Sequence, residues 1–323
     1  MRRATPVLAT AALFVLGLGI TMLQVAANPL VAALGPPERS HFRLTFAQAF
    51  NSLGVVLGVN FGARMMLGSL PATIGSGPAI DSSHRAAALS SVANAFLMIA
   101  VMLAVLMAFI WLFRDRITSE TANADVGLSG SIGAALRCRW AIAGAIAIGL
   151  YVGAEVSIGS IMINFLSQPV ILDIPLESAG FYLANIYWMG ALVGRFIGSY
   201  LLTRIPAPRL LMIAAAAAVL LCLTVVAATG PVAGWAALAV GLCNAIMFPT
   251  IFTITLERAK VSQPATSGLL CLAIVGGAIV PYTVGRLADL ASLSLAFALP
   301  LCSYIYITSF AIGAQAGKQH TRW

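Results

Sequence analysis

The sequence predicts an all-α polytopic membrane protein that crosses the bilayer nine times, with three helices before a polar linker and six after it. Three observations lead there. Of its 323 residues, 60% are hydrophobic and only 9% charged, and the mean hydropathy is +0.98, far from the balance of a water-soluble domain. Nine stretches have the roughly 20 apolar residues that a helix needs to cross about 30 Å of hydrocarbon. The longest hydrophilic stretch between them, FRDRITSETANADVGLSGSIGAALRCR at 113–139, mixes both charge signs with Ser, Gly and Asn, as a linker between bundles would.

Taken in order, the first stretch covers about 6–34 and carries QVAANP near its end. The second, 44–68, is Gly-rich, with Gly54, Gly58 and Gly62 four apart, and the third, 93–113, leads into the linker. The fourth, 140–166, opens at Trp140 and holds Glu155, the one carboxylate well inside a span. The fifth, 180–203, holds Asn185, Tyr187 and Trp188 and then GALVGRFIGSYLL; the sixth is 209–229. The seventh, 231–256, contains NAIMFP, the eighth, 265–288, is again Gly-rich, and the ninth, 292–314, ends in the polar tail. This divides the chain into the three-helix remainder of an N-terminal bundle (1–113), a linker (114–139), a six-helix C-terminal bundle (140–314) and a tail (315–323).

The net charge of +8 does not point to nucleic acid, because the 18 Lys and Arg lie in short loops rather than on one face. Topology accounts for them. With the tail cytoplasmic, the inner loops hold Arg39, Arg43, Arg114, Arg116, Arg137, Arg139, Arg204, Arg209, Arg258, Lys260, Lys318 and Arg322; the outer side holds only Arg2, Arg3, Arg85 and Arg286. That is the positive-inside bias of a multi-pass plasma-membrane protein. Arg64 and Arg195 fall within spans. MRR before an apolar run resembles a secretory signal, but the uncharged run from Ala4 to Leu34 is far longer than an h-region of about 7 to 15 residues. Cys138, Cys222, Cys243, Cys271 and Cys302 are scattered, without CxxC or Cys/His clusters, so neither disulfide nor metal is expected.

An internal repeat is visible. Gln24 lies five residues before Pro29, and Asn244 five before Pro249; each motif leads through a basic loop (ERSHFR, ERAKVSQ) into a Gly-rich span and then one more apolar span. The first three spans therefore match the last three, and counterparts of spans four to six are expected ahead of them but missing from this chain. Twelve spans would put both termini inside, which removes the anomaly of Arg2 and Arg3 on the outer side.

QVAANPLVAALGPPERSHFRLTFAQAFNSLG, YVGAEVSIGSIMINFL, GALVGRFIGSYLL and FPTIF together resemble the fucose/proton symporter and glucose/galactose transporter family of the major facilitator superfamily. The resemblance implies a twelve-helix transporter of two six-helix halves around a central sugar site, alternating between inward- and outward-facing states. This chain would be an incomplete version, lacking the first three helices, among them the one that carries an acidic coupling residue in the fucose branch. That branch also has a carboxylate where this chain has Gln24, so the glutamine looks more like the glucose/galactose branch and argues against proton coupling at that position.

Gln24 lies ten residues, or about 15 Å at 1.5 Å per residue, from the end of its span, near the bilayer midplane. Asn28 shares its face, as Gln48 and Asn51 share one on the next span. An unpaired amide in hydrocarbon costs several kcal/mol, so these faces look into protein or water. They are candidate ligands for sugar hydroxyls, or else bonds between helices; Asn28 could also satisfy backbone freed by Pro29. Glu155 is a candidate to accept sugar hydroxyls or bind a coupling H⁺ or Na⁺, or else a neutral acid bonded to a neighbouring helix. Asn164, nine residues on, is a weaker candidate for the same site. Asn185, Tyr187 and Trp188 could stack on and bond a sugar ring, or anchor the helix at the interface. Asn244 matches Gln24 in the repeat. Arg195 looks, by the resemblance, like a state-dependent latch, with a snorkelling arginine as the alternative. Gly190 and Gly194, like Gly54 and Gly58, read as packing positions.

His41, His84 and His320 are expected in loops, and no GxSxG, Walker loop, HExxH or acidic pair is present. The residues thus predict a monomeric, non-enzymatic sugar transporter that binds a small hexose within the lipid bilayer, with no cofactor beyond a coupling ion. The alternative is a non-transporting membrane protein, either a remnant or a sugar-binding receptor.

Overall fold

In the computed structural model of the protein, residues 4–62, 82–122 and 132–319 are described, and their regular structure is helical throughout. Arg2, Arg3, Arg64, His320, Arg322 and the middle of the expected linker lie outside these residues. The helices are α1 (Ala4–Ala33), α2 (Ser40–Leu57), α3 (Ser82–Ala122), α4 (Arg139–Leu166), α5 (Leu176–Tyr182), α6 (Met189–Leu201), α7 (Ala207–Ala227), α8 (Gly230–Asn244), α9 (Met247–Arg258), α10 (Gln263–Ala273), α11 (Gly276–Leu290) and α12 (Ala298–Gln319).

Among the described residues seven helical segments are long and apolar enough to cross a membrane: Thr10–Ala33, Val92–Arg114, Arg139–Leu166, Ala207–Ala227, Gly230–Arg258, Gln263–Leu290 and Leu293–Ala316. They coincide with seven of the nine expected spans. The described residues of the other two expected spans, 44–62 and 180–203, are helical as well, but each contains a π-turn: Gly58–Gly62 continues α2, and Leu183–Trp188 joins α5 to α6. A π-turn inserts a residue into the ladder and is found mostly at functional sites. The first residues of the expected linker are not loop, because α3 runs on through Ala122. His41 and His84 are also helical, in the first turns of α2 and α3.

The turn between α1 and α2 is built by Arg43. Its guanidinium reaches back to the Val31 carbonyl (3.2 Å), the Pro36 carbonyl (2.7 Å) and the Ala32 carbonyl, taking up acceptors that the end of α1 leaves open. Gly35, at φ +95°, allows the chain to leave the helix.

The part after the linker, residues 139–319, is closely packed through small residues. A Cβ at Gly276 would overlap the Gly149 backbone, one at Gly153 would overlap Val280, and one at Gly144 would overlap Thr255, so α4 lies hard against α11 and α9. The chain before the linker is different. Between Val92 and Arg114 every side chain of α3 except Ala95 is exposed, and α1 packs only from Gln24 onward, against α2 and α10. The two parts meet where α1 touches α10 and where α2 touches α6 and α9.

Gly276→Val is expected to destabilise the protein by about 1–3 kcal/mol through overpacking. Gly54→Ala, in open helical surface, should be neutral or stabilising by about 0.5–1 kcal/mol. Thermal unfolding of the purified variants checks both.

Candidate functional site

The residues with the most polar chemistry form one connected layer across the seam between the two parts. It starts in α1, where the Asn28 carbonyl oxygen accepts from the Gln48 amide of α2 (3.2 Å). Asn28 is buried, and its own amide nitrogen has no partner among the described residues. The backbone of Gln48 carries the layer on, because its carbonyl accepts from Arg195 Nη1 (3.3 Å), which also donates to Ser52 Oγ.

Arg195, in α6, is only 7% exposed, so it does not reach out to the headgroups. Its Nε donates to the Ala245 carbonyl (3.1 Å). That acceptor has a local cause. Pro249 has no N–H, so the carbonyl four residues earlier loses its helical donor, and the chain breaks between α8 and α9 at this point. The repeat partner behaves similarly. Pro29 frees the Val25 carbonyl, which accepts from Ser267 Oγ of α10 (3.3 Å), while α1 continues unbroken through the proline.

Asn244, at the last residue of α8, is fully buried in a cage of three tyrosines. Tyr304 donates to its Oδ1 (2.8 Å), its amide donates to Tyr187 Oη (3.1 Å), and Tyr151 donates to its backbone carbonyl (3.2 Å). Tyr187 in turn donates to the Glu155 carbonyl (3.3 Å). Glu155, half-buried as a residue, sets its carboxyl beside the Tyr151 hydroxyl and within the field of Arg195. Asn28, Gln48, Arg195, Asn244, Tyr187 and Glu155 are thus one chain of contacts.

The other candidates stand outside the layer. Gln24 is half-buried on α1, and Asn51 and Asn164 are exposed. Asn185 donates to the Phe181 carbonyl of its own helix (3.1 Å), and Trp188 meets Tyr187 edge-on at 5.1 Å. Gly194 and Gly190 lie against α8, the former so tightly that a Cβ would overlap Ala245, whereas Gly54 and Gly58 face open space.

A second cluster ties the seam nearer the α1–α2 turn. His41 Nε2 is 3.0 Å from Glu257 Oε1 of α9, His41 Nδ1 meets Thr253 Oγ1, and Ser40 Oγ donates to Glu257 (3.2 Å). It lies about 11–17 Å along α2 from Gln48 and Ser52.

Comparison with known proteins places this architecture. The model for the Major Facilitator Superfamily matches residues 4–281. The chain belongs to that superfamily. It is 42% identical over 303 residues to the glucose/galactose transporter of Brucella abortus, covering 93% of this chain and 70% of that protein. To the L-fucose-proton symporter of Escherichia coli it is 31% identical over 321 residues, covering 93% and 70%. A crystal structure of the major facilitator transporter FucP in the outward conformation superposes with a TM-score of 0.73 at 27% identity, over 90% of this chain and 72% of that one. The superfamily is one of multi-pass membrane transporters, not enzymes, and the seam described above lies between the two parts of such a fold.

Sequence reading missed Tyr151, Tyr304, Ser52, Ser40 and Glu257, and set His41 aside as a loop residue. The tyrosines carried a usable signal: a hydroxyl at mid-span needs a partner. Tyr304→Phe leaves Asn244 Oδ1 buried without its donor and should cost about 1–3 kcal/mol, against about 0.5–1.5 for Tyr306→Phe, whose half-buried hydroxyl bonds only the Ala143 carbonyl. Unfolding of the two variants measures the difference.

Proposed function

We propose that the protein moves a hexose of the glucose/galactose type across the bacterial inner membrane by alternating access, with nine crossings grouped three and six and the tail in the cytoplasm. The observation that carries this reading is the seam itself. The side-chain hydrogen bonds and ion pairs between the two parts run from Ser40 and His41, beside the α1–α2 turn, along α2 to Gln48 and Ser52, with one more from Ser267 to the Val25 carbonyl of α1. Gln24 and Asn51 leave their amides off those bonds, and Glu155 is partly exposed. A polar seam that still leaves amides unbonded is what a ligand site between two moving parts requires.

The choice of hexose is supported by the names of the relatives and by chemistry. Sugar hydroxyls both donate and accept, and amides match them without a net charge. In this reading Asn28, whose nitrogen is unspent, Gln48, Gln24 and Asn51 supply amides from the first part, and Glu155, Asn164, Asn185 and Trp188 supply the second part's groups, with Asn244 and Tyr187 as the buried support. Glu155 is the coupling candidate for H⁺ or Na⁺, being the carboxylate in mid-span. Arg195 links that carboxylate to α2, so a change at Glu155 would reach the seam.

Uptake of labelled glucose, galactose and L-fucose into proteoliposomes tests the proposal. Glucose and galactose should accumulate and compete with each other, an imposed H⁺ or Na⁺ gradient should drive the uptake, and Glu155→Gln should abolish that drive. Gln24→Ala should reduce uptake about tenfold, the worth of one hydrogen bond to a sugar hydroxyl. Binding without uptake, or neither, would contradict transport by this chain.

A further inference from the structure

Where α4 begins, Arg139 and Trp140 lie beside the later turns of α12, and between the two helices is a cleft of about 250 Å³ lined by Arg139, Trp140, Ala143, Tyr306, Phe310 and Gly313. The hydroxyls of its lining are spent within the protein. Tyr306 donates to the Ala143 carbonyl (3.2 Å), and the adjoining Ser309 hydroxyl donates to the Ile305 carbonyl (3.0 Å). The Trp140 ring is fixed on both sides: Phe310 meets it edge-on at 5.7 Å, and the Arg258 guanidinium lies 5.0 Å from its centre while donating to the Ala314 carbonyl. Gly313 opens one wall of it: a methyl group there would sit in contact with Trp140 at 3.8 Å, and a larger side chain would fill the space.

The one charged group of the lining is Arg139, which is exposed at the mouth, with Arg137, also exposed, two residues before it. No carboxylate lines the cleft. Along both helices the surface beside it is apolar, with Ile142 and Ile146 exposed on α4 and Ile305 and Ile312 on α12. A cationic rim above a dry aromatic floor that continues into apolar helix surface suits a molecule with a phosphate at one end and hydrocarbon at the other. Guanidinium matches phosphate geometry, and basic clefts between helices at the cytoplasmic side hold anionic headgroups. A free phosphate would use only the rim.

We propose that this cleft binds one anionic phospholipid of the leaflet at this end, with its phosphate on Arg139 and one acyl chain laid over Trp140, Tyr306, Phe310 and Gly313. The site lies on the far side of α4 and α12 from the seam contacts, so it does not depend on the sugar reading. The full chain is reconstituted in nanodiscs of phosphatidylcholine with a minor fraction of phosphatidylglycerol, released, and its retained lipids counted by native mass spectrometry. Wild type should keep one phosphatidylglycerol in preference to phosphatidylcholine, with inorganic phosphate unable to displace it. Arg139→Gln, a surface change, should lower that retention at least tenfold; Gly313→Leu, which fills the floor, should lower it too while Arg139 remains. Equal retention of the two lipids by wild type, displacement by inorganic phosphate, or unchanged retention in Arg139→Gln would overturn the proposal.

Discussion

A guanidinium held away from water at the seam between two helical parts is the constraint around which the rest is arranged. Burying a charge is costly unless acceptors surround it, and Arg195 has three: the Ala245 carbonyl within its own part, and the Gln48 carbonyl and Ser52 hydroxyl across the seam. The first is available only because Pro249 cannot donate to it. A proline that would otherwise weaken a membrane helix instead creates the acceptor that holds the arginine in place. The break it causes sets Asn244 at the end of α8, where three tyrosines close around it.

That arrangement gives a seam suited to opening. The contacts across it mix apolar packing, with Leu44 in the core and Phe46 and Phe50 against Phe196, with polar bonds, and Asn28 Nδ2 and the hydroxyls of Thr45 and Thr250 are buried without partners among the described residues. Each unpaired group costs about 1–3 kcal/mol while the seam is shut, which weakens the closed state. By contrast α4, α9 and α11 interlock through glycines and resist separation. A tightly packed part after the linker, joined to α1 and α2 by a seam with unsatisfied polar groups, is what a rocking motion needs, since packed cores move as units and interfaces switch.

Much of this was legible in the sequence because hydropathy at the scale of a span is a strong signal: seven expected spans reappear as apolar helices long enough to cross, and the superfamily follows from motifs that the comparisons confirm. What was not legible depends on neighbours rather than on local pattern. Gly54 and Gly58 repeat every fourth residue just as Gly190, Gly194 and Gly198 do, yet only the second set meets a partner helix. The basic stretch ERSHFR read as a loop that took in His41, and only the fold brings Glu257 to it. Tyr151 and Tyr304 passed as apolar filler because the residue that needs them, Asn244, is far away in sequence. The offset of Gln24 and Asn244 from their prolines was visible; that Ser267 and Arg195, distant in sequence, would take up the two freed carbonyls was not.

The central claim is that Arg195 holds the two parts together. It is tested by pulsed electron resonance between spin labels at Arg39, in the α1–α2 turn, and Lys260, in the turn after α9, on a cysteine-free background. The native arginine should give a single short, narrow distance, and Arg195→Ala should shift the distribution to longer and broader values. Superimposable distributions for the two proteins would contradict it.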